Sequence, residues 1–227
     1  MGLKRFLKRA IIVCVCLGIV LLLVYAVALR PWSLRMGAND SEVVMQLPGD
    51  NLVSDAGFQY TQAITIDAPK DIVWAYLIQI GYKRGGWYNI DWINGMIKDY
   101  FYEGGKSAGR IIPELQDLKE GDKIFLNPSI PGFLVSKLEK HDYMILTAAD
   151  TGTNMETVTS ANVSWVFKLQ EMDSDTTRFI VRWRSVPNKG FSGFIMDRFM
   201  DVGSAGLQQP AMLRGLKSRA EAEYDKK

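Results

Sequence analysis

Residues 10–29, AIIVCVCLGIVLLLVYAVAL, contain no charged residue and no proline. At ~1.5 Å per residue, a helix of that length covers roughly 30 Å, the hydrocarbon thickness of a bilayer. A helix satisfies its own backbone hydrogen bonds, so the run can cross lipid as it stands. The remainder of the chain is therefore expected to be a domain held at a membrane. Lys4, Arg5, Lys8 and Arg9 precede the run, whereas Arg30, Arg35, Asp40 and Glu42 follow it. The positive-inside bias then leaves residues 1–9 as a cytoplasmic basic region and places residues 30–227 on the far side. Trp32, beside Pro31, suits an interfacial aromatic. The alternative is a cleaved signal peptide and a secreted domain. Ala26-Val27-Ala28 is an acceptable small-x-small site, but the apolar run exceeds the about 7–15 residues usual for a signal.

Both cysteines, Cys14 and Cys16, lie inside the span, so the domain beyond it has none. Its stability must come from a packed core and not from disulfides. The n-region carries four of the 27 Lys and Arg, leaving 23 against 25 Asp and Glu, a net charge of −2. A nearly neutral domain gives no electrostatic reason to expect nucleic acid. About 200 residues beyond the anchor suit one domain.

Along that domain, residues 30–57 are expected as a juxtamembrane linker, with Asn39-Asp40-Ser41 and Leu47-Pro48-Gly49-Asp50 as turns. A domain then runs over 58–224. Residues 60–66 form a strand with Ile64 and Ile66 on one face. Pro69 suits the first position of a helix over 70–80, where Asp71 complements the helix dipole. Val73, Tyr76, Leu77 and Ile80 mark its buried face. A short aromatic helix is expected over 87–93, then glycine-marked loops at Gly104, Gly105 and Gly109. A strand over 123–126 and a hairpin over 133–138 and 143–148 follow, the latter turning at Lys140-His141-Asp142.

The clearest pair of strands covers 164–169 and 177–185. Trp165, Phe167 and Leu169, and Phe179, Val181 and Trp183, alternate with Ser164, Val166 and Lys168, and with Arg178, Ile180, Arg182 and Arg184. Period-two alternation predicts one face inward and one face wet. Residues 191–224 follow as a helix, with Phe191, Phe194, Ile195, Phe199 and Val202 on one stripe. Gly203, Gly206 and Pro210 weaken or kink it. An inner face that aromatic, opposite a helix rich in Phe and Met, makes either a tight core or an apolar pocket.

Ala63-Ile64-Thr65-Ile66-Asp67-Ala68-Pro69 running into Val73-Trp74, Ile112-Pro113-Glu114-Leu115 through Gly121-Asp122, residues 177–182 and Met212-Leu213-Arg214-Gly215-Leu216-Lys217 carry a resemblance. The chain resembles the START-like superfamily of polyketide cyclase/dehydrase and lipid-transport proteins (SRPBCC), over about residues 58–222. The resemblance implies an α+β helix-grip fold, a curved antiparallel sheet wrapped around a long C-terminal helix, here preceded by one transmembrane helix. It also implies an apolar cavity between sheet and helix. Fold does not supply activity, because members bind very different apolar ligands and only some are enzymes.

No catalytic motif stands out. His141 is the single histidine, and Gly105-Lys106-Ser107 lacks the earlier glycine of a phosphate loop, since that position is Tyr100. Asp173 and Asp175 are explained by a hairpin turn. No metal site or cofactor is expected. Tyr88, Asp91, Trp92, Tyr100 and Tyr102 combine aromatics with one carboxylate. Asp91 or Glu114 would serve an acid/base enzyme if burial raised its pKa. The expected function is a membrane-tethered domain binding a lipid or other hydrophobic small molecule. Tyr88, Trp92, Trp165, Phe167, Phe179, Trp183, Phe194 and Phe199 would line the site. The alternatives are a cyclase- or dehydratase-like enzyme on an apolar substrate, or a cavity-less envelope interaction module.

Overall fold

The computed structural model describes residues 2–91, 106–126, 132–148, 161–187 and 190–226; the side chains of residues 2–5, 196 and 199–201 lie outside that description. The N-terminal helix α1, Gly2–Val24, continues through a π-helical stretch, Tyr25–Leu29, into α2, Arg30–Leu34. The wide turn has a local cause. Pro31 has no N–H, and its ring crowds the carbonyl four residues back, so the helix loosens by one residue there. Residues Phe6–Leu34 form one helix long and apolar enough to span a membrane or to be a signal sequence.

Six antiparallel strands follow: β1 Phe58–Ile66, β2 Lys123–Ile124, β3 Phe133–Glu139, β4 Tyr143–Ala148, β5 Val163–Asp173 and β6 Thr176–Ser185. Their spatial order is β1-β6-β5-β4-β3-β2. Register is fixed by the aromatics, with Tyr60 opposite Trp183 and Trp183 opposite Trp165. A one-residue slip would turn every one of these rings to the other face.

The inner face packs on two helices, α4 (Lys70–Ile78) and the C-terminal α6 (Gln209–Tyr224). Phe167, Phe179, Val181, Leu146 and Met144 meet Val73, Leu77, Leu213 and Leu216 in one core. The sheet and the C-terminal helix thus form the expected α+β helix-grip architecture. Pro69 caps α4 rather than opening it, and Asp71 stands in the first turn. The region over 87–93 departs from expectation. Residues 87–90 are irregular, Tyr88 has φ +54°, and only Asp91 is helical before the description stops. The Tyr88 carbonyl lies so close to Gly215 on α6 that a Cβ there would sit 1.8 Å from it.

The C-terminal helix is continuous in course. Helix α5, Gly190–Met200, passes through a π-helical stretch, Asp201–Gln208, into α6. Pro210 sits at the start of α6 and is absorbed as Pro31 is, by a widened turn before it.

The outer face of the sheet is not wet. Val166 and Ile180 are fully buried there, with Leu47, Ala63 and Ile145. Residues 35–54, expected as linker, lie across this face as a strap. It begins with α3, Asp40–Val44, whose Asn39 and Glu42 form a reciprocal capping box. Three arginines of β6 fasten it. Arg178 grips the Glu42 carboxylate with two hydrogen bonds of 2.7 and 2.8 Å. Arg182 is only 2% exposed and donates to Thr61 Oγ1, Asp50 Oδ2 and the carbonyls of Met45, Glu42 and Val43. Arg184 donates to the Val53 carbonyl. The strap joins α2 to the sheet directly, since the Ala63 amide donates to the Met36 carbonyl.

Candidate functional site

At one end of the inner face the aromatic side chains of β5, β6, β3 and the segment after α4 converge. Trp87 stacks on Trp165 with ring centres 5.4 Å apart and planes within 10°. Trp165 meets Trp183 edge-on at 5.4 Å, and Phe133 closes the group at 5.7 and 5.9 Å from the two rings. Tyr60 stacks on Trp183 from β1 at 6.4 Å, and Phe167 lies 4.8 Å from Trp165. Period-two placement on adjacent strands produces this cluster, because cross-strand neighbours stand within reach of one another.

Polar groups are set into this apolar wall. Gln209, at the start of α6, is 2% exposed. Its Oε1 accepts from the Tyr60 hydroxyl at 3.2 Å and from Trp165 Nε1 at 3.1 Å. Gln62 occupies an inward position of β1 and is fully buried. Its Nε2 donates to the carbonyls of Ser33 at 2.6 Å and Ala205 at 2.7 Å. One buried amide therefore ties the end of the N-terminal helix to the π-helical stretch before α6. Two buried polar atoms beside this wall, Gln62 Oε1 and Trp87 Nε1, have no hydrogen-bond partner among the described residues. Burial raises the Tyr60 phenol far above its ordinary value, so the hydroxyl is neutral and donates.

A second polar group sits behind the cluster. Gln79 Nε2 donates to the Tyr88 hydroxyl and the Arg110 carbonyl, while its Oε1 accepts from the Ile112 amide. The Arg219 guanidinium lies 4.9 Å from the centre of the Tyr88 ring. Burial lifts the Tyr88 phenol as well. These contacts hold the turn after α4 against α6.

Of the residues named from the sequence, Trp165, Phe167, Phe179 and Trp183 all face the interior, with Phe167 and Phe179 fully buried. Tyr88 is buried behind them and anchored to Gln79. Trp92, Tyr100 and Tyr102 lie outside the described residues, as does the side chain of Phe199. Phe194 is 55% exposed on α5, away from the interior. Asp91 accepts from the Ser107 hydroxyl at 2.8 Å, and that hydroxyl in turn accepts from the Tyr88 amide. Glu114 stands exposed on a single 3-10 turn, Pro113–Leu115. The two carboxylates therefore do not converge on the aromatic interior. Gln62, Gln209, Tyr60, Trp87 and Phe133 were missed from the sequence. A glutamine at an inward position between Tyr60 and Ile64 was the available signal.

His141 adopts φ +59° in its hairpin turn and meets Trp74 edge-on at 6.0 Å. It edges an open pocket of about 330 Å³ with Asp71, Trp74, Gln116 and Lys140. Burial, then the Lys140 charge, lowers its pKa. Another open pocket, of about 460 Å³, lies on the outer face beside Glu42, Met45 and Arg178. Among the described residues no group of three or more His, Cys, Asp or Glu side chains could hold a metal ion.

No family model and no curated protein matches the sequence. Solved structures are similar to it in chain course. A polyketide cyclase-like protein from Corynebacterium glutamicum is 15% identical, with a TM-score of 0.41 over 73% of this chain and 92% of its own. A protein from Nitrosomonas europaea is 14% identical, with a TM-score of 0.46 over 74% and 97%. The self-sacrificing resistance protein CalC from Micromonospora echinospora is 11% identical, with a TM-score of 0.43 over 74% and 97%.

Proposed function

We propose that this protein is a membrane-tethered domain that takes a lipid or other hydrophobic small molecule between the sheet and the C-terminal helix. One observation carries the reading. Two buried polar atoms beside the aromatic interior, Trp87 Nε1 and Gln62 Oε1, have no partner among the described residues. Such atoms are costly in a closed core, by about 1–3 kcal/mol each; a ligand hydroxyl would donate to Gln62 Oε1, and a hydroxyl or carbonyl would accept from Trp87 Nε1. The rings of Trp87, Trp165, Phe133 and Trp183 rest on one another and form the wall that an apolar body would part. Single-residue contacts between large flat rings are suited to such a change, since stacking faces are exchangeable with a ligand's own apolar surface.

The tether supports the same reading. Gln62 links the end of α2 to the stretch that leads into Gln209, so the interior begins beside the helix that would leave the bilayer. A domain held there works at a high local concentration of lipid. The orientation we favour places the basic N-terminus in the cytoplasm and the domain outside. Asp91 and Glu114 stand apart from the interior, which favours binding over acid/base turnover.

The test is tryptophan quenching in the full-length protein in detergent micelles. A brominated fatty acid should quench the interior tryptophans saturably, and its unbrominated parent should compete. Gln62→Leu should weaken that binding while far-ultraviolet circular dichroism stays unchanged. Quenching that rises linearly without saturation, and equally in Gln62→Leu, would remove the interior site.

A further inference from the structure

We infer that α5 is a second membrane contact, lying with its apolar side in the bilayer next to the N-terminal helix; this rests on the reading of that helix as a membrane span. Three observations carry it. First, Phe191 is 80% exposed, Phe194 55%, Ile195 51%, Val202 47% and Leu207 50%. That is a run of large apolar side chains on one helix and the π-helical stretch continuing it, each of them about half exposed or more. Isolated exposed apolar residues are ordinary, but a contiguous patch marks an interaction surface.

Second, the patch begins where the span ends. Gln62 Nε2 bridges the Ser33 carbonyl of α2 and the Ala205 carbonyl of the π-helical stretch, and the two segments pack together. From Ala205 back to Phe194 the helix rises only about 16 Å. No flexible linker separates the span from the domain, since the Ala63 amide pairs with Met36 and the strap is pinned from Glu42 onward. The apolar side of α5 is therefore held at a fixed place beside the emerging span.

Third, the chemistry at this end suits an interfacial helix. Trp32 is 60% exposed on α2, an aromatic at the exit of the span. Arg198 lies 5.3 Å from the Phe194 ring centre, so one cation stands within the apolar run, on a stem long enough to carry its charge toward the headgroups. An apolar side of Phe, Ile, Val and Leu carrying one arginine whose stem reaches the headgroups matches a helix lying in the headgroup and acyl boundary. A bilayer is the occupant this position favours, because the span that reaches the patch already brings lipid to it.

The experiment uses the full-length protein reconstituted in phosphatidylcholine vesicles containing brominated phosphatidylcholine. In a Cys14→Ser, Cys16→Ser background, single cysteines at Phe191→Cys, Ile195→Cys, Val20→Cys and Lys140→Cys each carry an environment-sensitive fluorophore. The labels at 191 and 195 should blue-shift and lose intensity to bromine, as the label at 20 does, while the label at 140 stays unquenched. Quenching at 20 with none at 191 and 195 overturns this inference and leaves the anchor reading intact. Absence of quenching at 20 as well overturns both. Were a protein the partner in place of lipid, the labels at 191 and 195 would stay unquenched in these vesicles, which hold no other protein, and that result also refutes the proposal.

Discussion

Replacing Arg182 by methionine removes the guanidinium that holds the strap to the sheet while keeping most of the side-chain stem. In the native chain it donates at 2.6–3.0 Å to five acceptors, three of them backbone carbonyls. Among the described residues, the Asp50 carboxylate keeps the Leu47 amide alone once Arg182 is gone, and its other oxygen, Oδ1, already lacks a partner. Removing one member of a buried ion pair costs about 3–5 kcal/mol, mostly because the other charge is left unpaired. For a chain of this size each kcal/mol moves the midpoint by about 2–4 °C, so Tm should fall by roughly 6–20 °C. The assay is thermal unfolding of the full-length protein in detergent micelles, followed by tryptophan fluorescence. Limited proteolysis read by mass should show new cuts between residues 37 and 54. Arg182→Lys should lie between, since one ammonium cannot span acceptors that a planar fork reaches together. A loss below about 1 kcal/mol, the range of an ordinary surface change, would refute the strap as a structural clamp.

Other outcomes follow from the same geometry. Gly215→Ala should destabilise the fold by about 3 kcal/mol or more in urea unfolding, because the new Cβ meets the Tyr88 carbonyl, at 1.8 Å. Burial raises the pKa of Glu42, but the Arg178 hydrogen bonds, the Asn39 amide and the Arg178 charge outweigh it and leave the pKa lowered. The stability it contributes is therefore present above the ordinary carboxylate value and lost as pH falls through the lowered one, so strap proteolysis should rise only in acid below about pH 4.5. Glu42→Gln should flatten that acid dependence. Asp91→Asn and Glu114→Gln should leave saturable quenching by the brominated fatty acid unchanged, Asp91→Asn costing about 1 kcal/mol of stability through its bond to Ser107.

The inward half of the sheet was legible because its signal is local. Trp165, Phe167, Phe179 and Trp183 occupy alternate positions, and each one faces the core. The opposite half was misread for a physical reason. Arginine at outward positions normally means water, yet Arg178, Arg182 and Arg184 find carboxylates and carbonyls supplied by a segment about 130 residues earlier. Turn chemistry at Asn39 and Pro48-Gly49 identifies bends but carries no information about what the bends lie against. Glu42 and Asp50, acids flanking the apolar positions Val43, Val44, Met45 and Leu47, were the sequence trace of the clamp. The apolar stripe on α5 was legible as a stripe, but its destination was not. Phe191 and Phe194 have the spacing of a core face and nonetheless stand exposed. The two prolines, Pro31 and Pro210, were readable as disturbances, although π-helical turns before each let the helices continue.

The most direct test of the central claim is native mass spectrometry of the full-length protein released from detergent micelles after incubation with a membrane lipid extract, beside Trp165→Asp verified as folded. The account predicts a discrete one-to-one adduct on the wild-type chain that is lost from the variant. A wild-type chain that flies bare, or an adduct equally abundant on Trp165→Asp, would contradict an interior site for an apolar molecule.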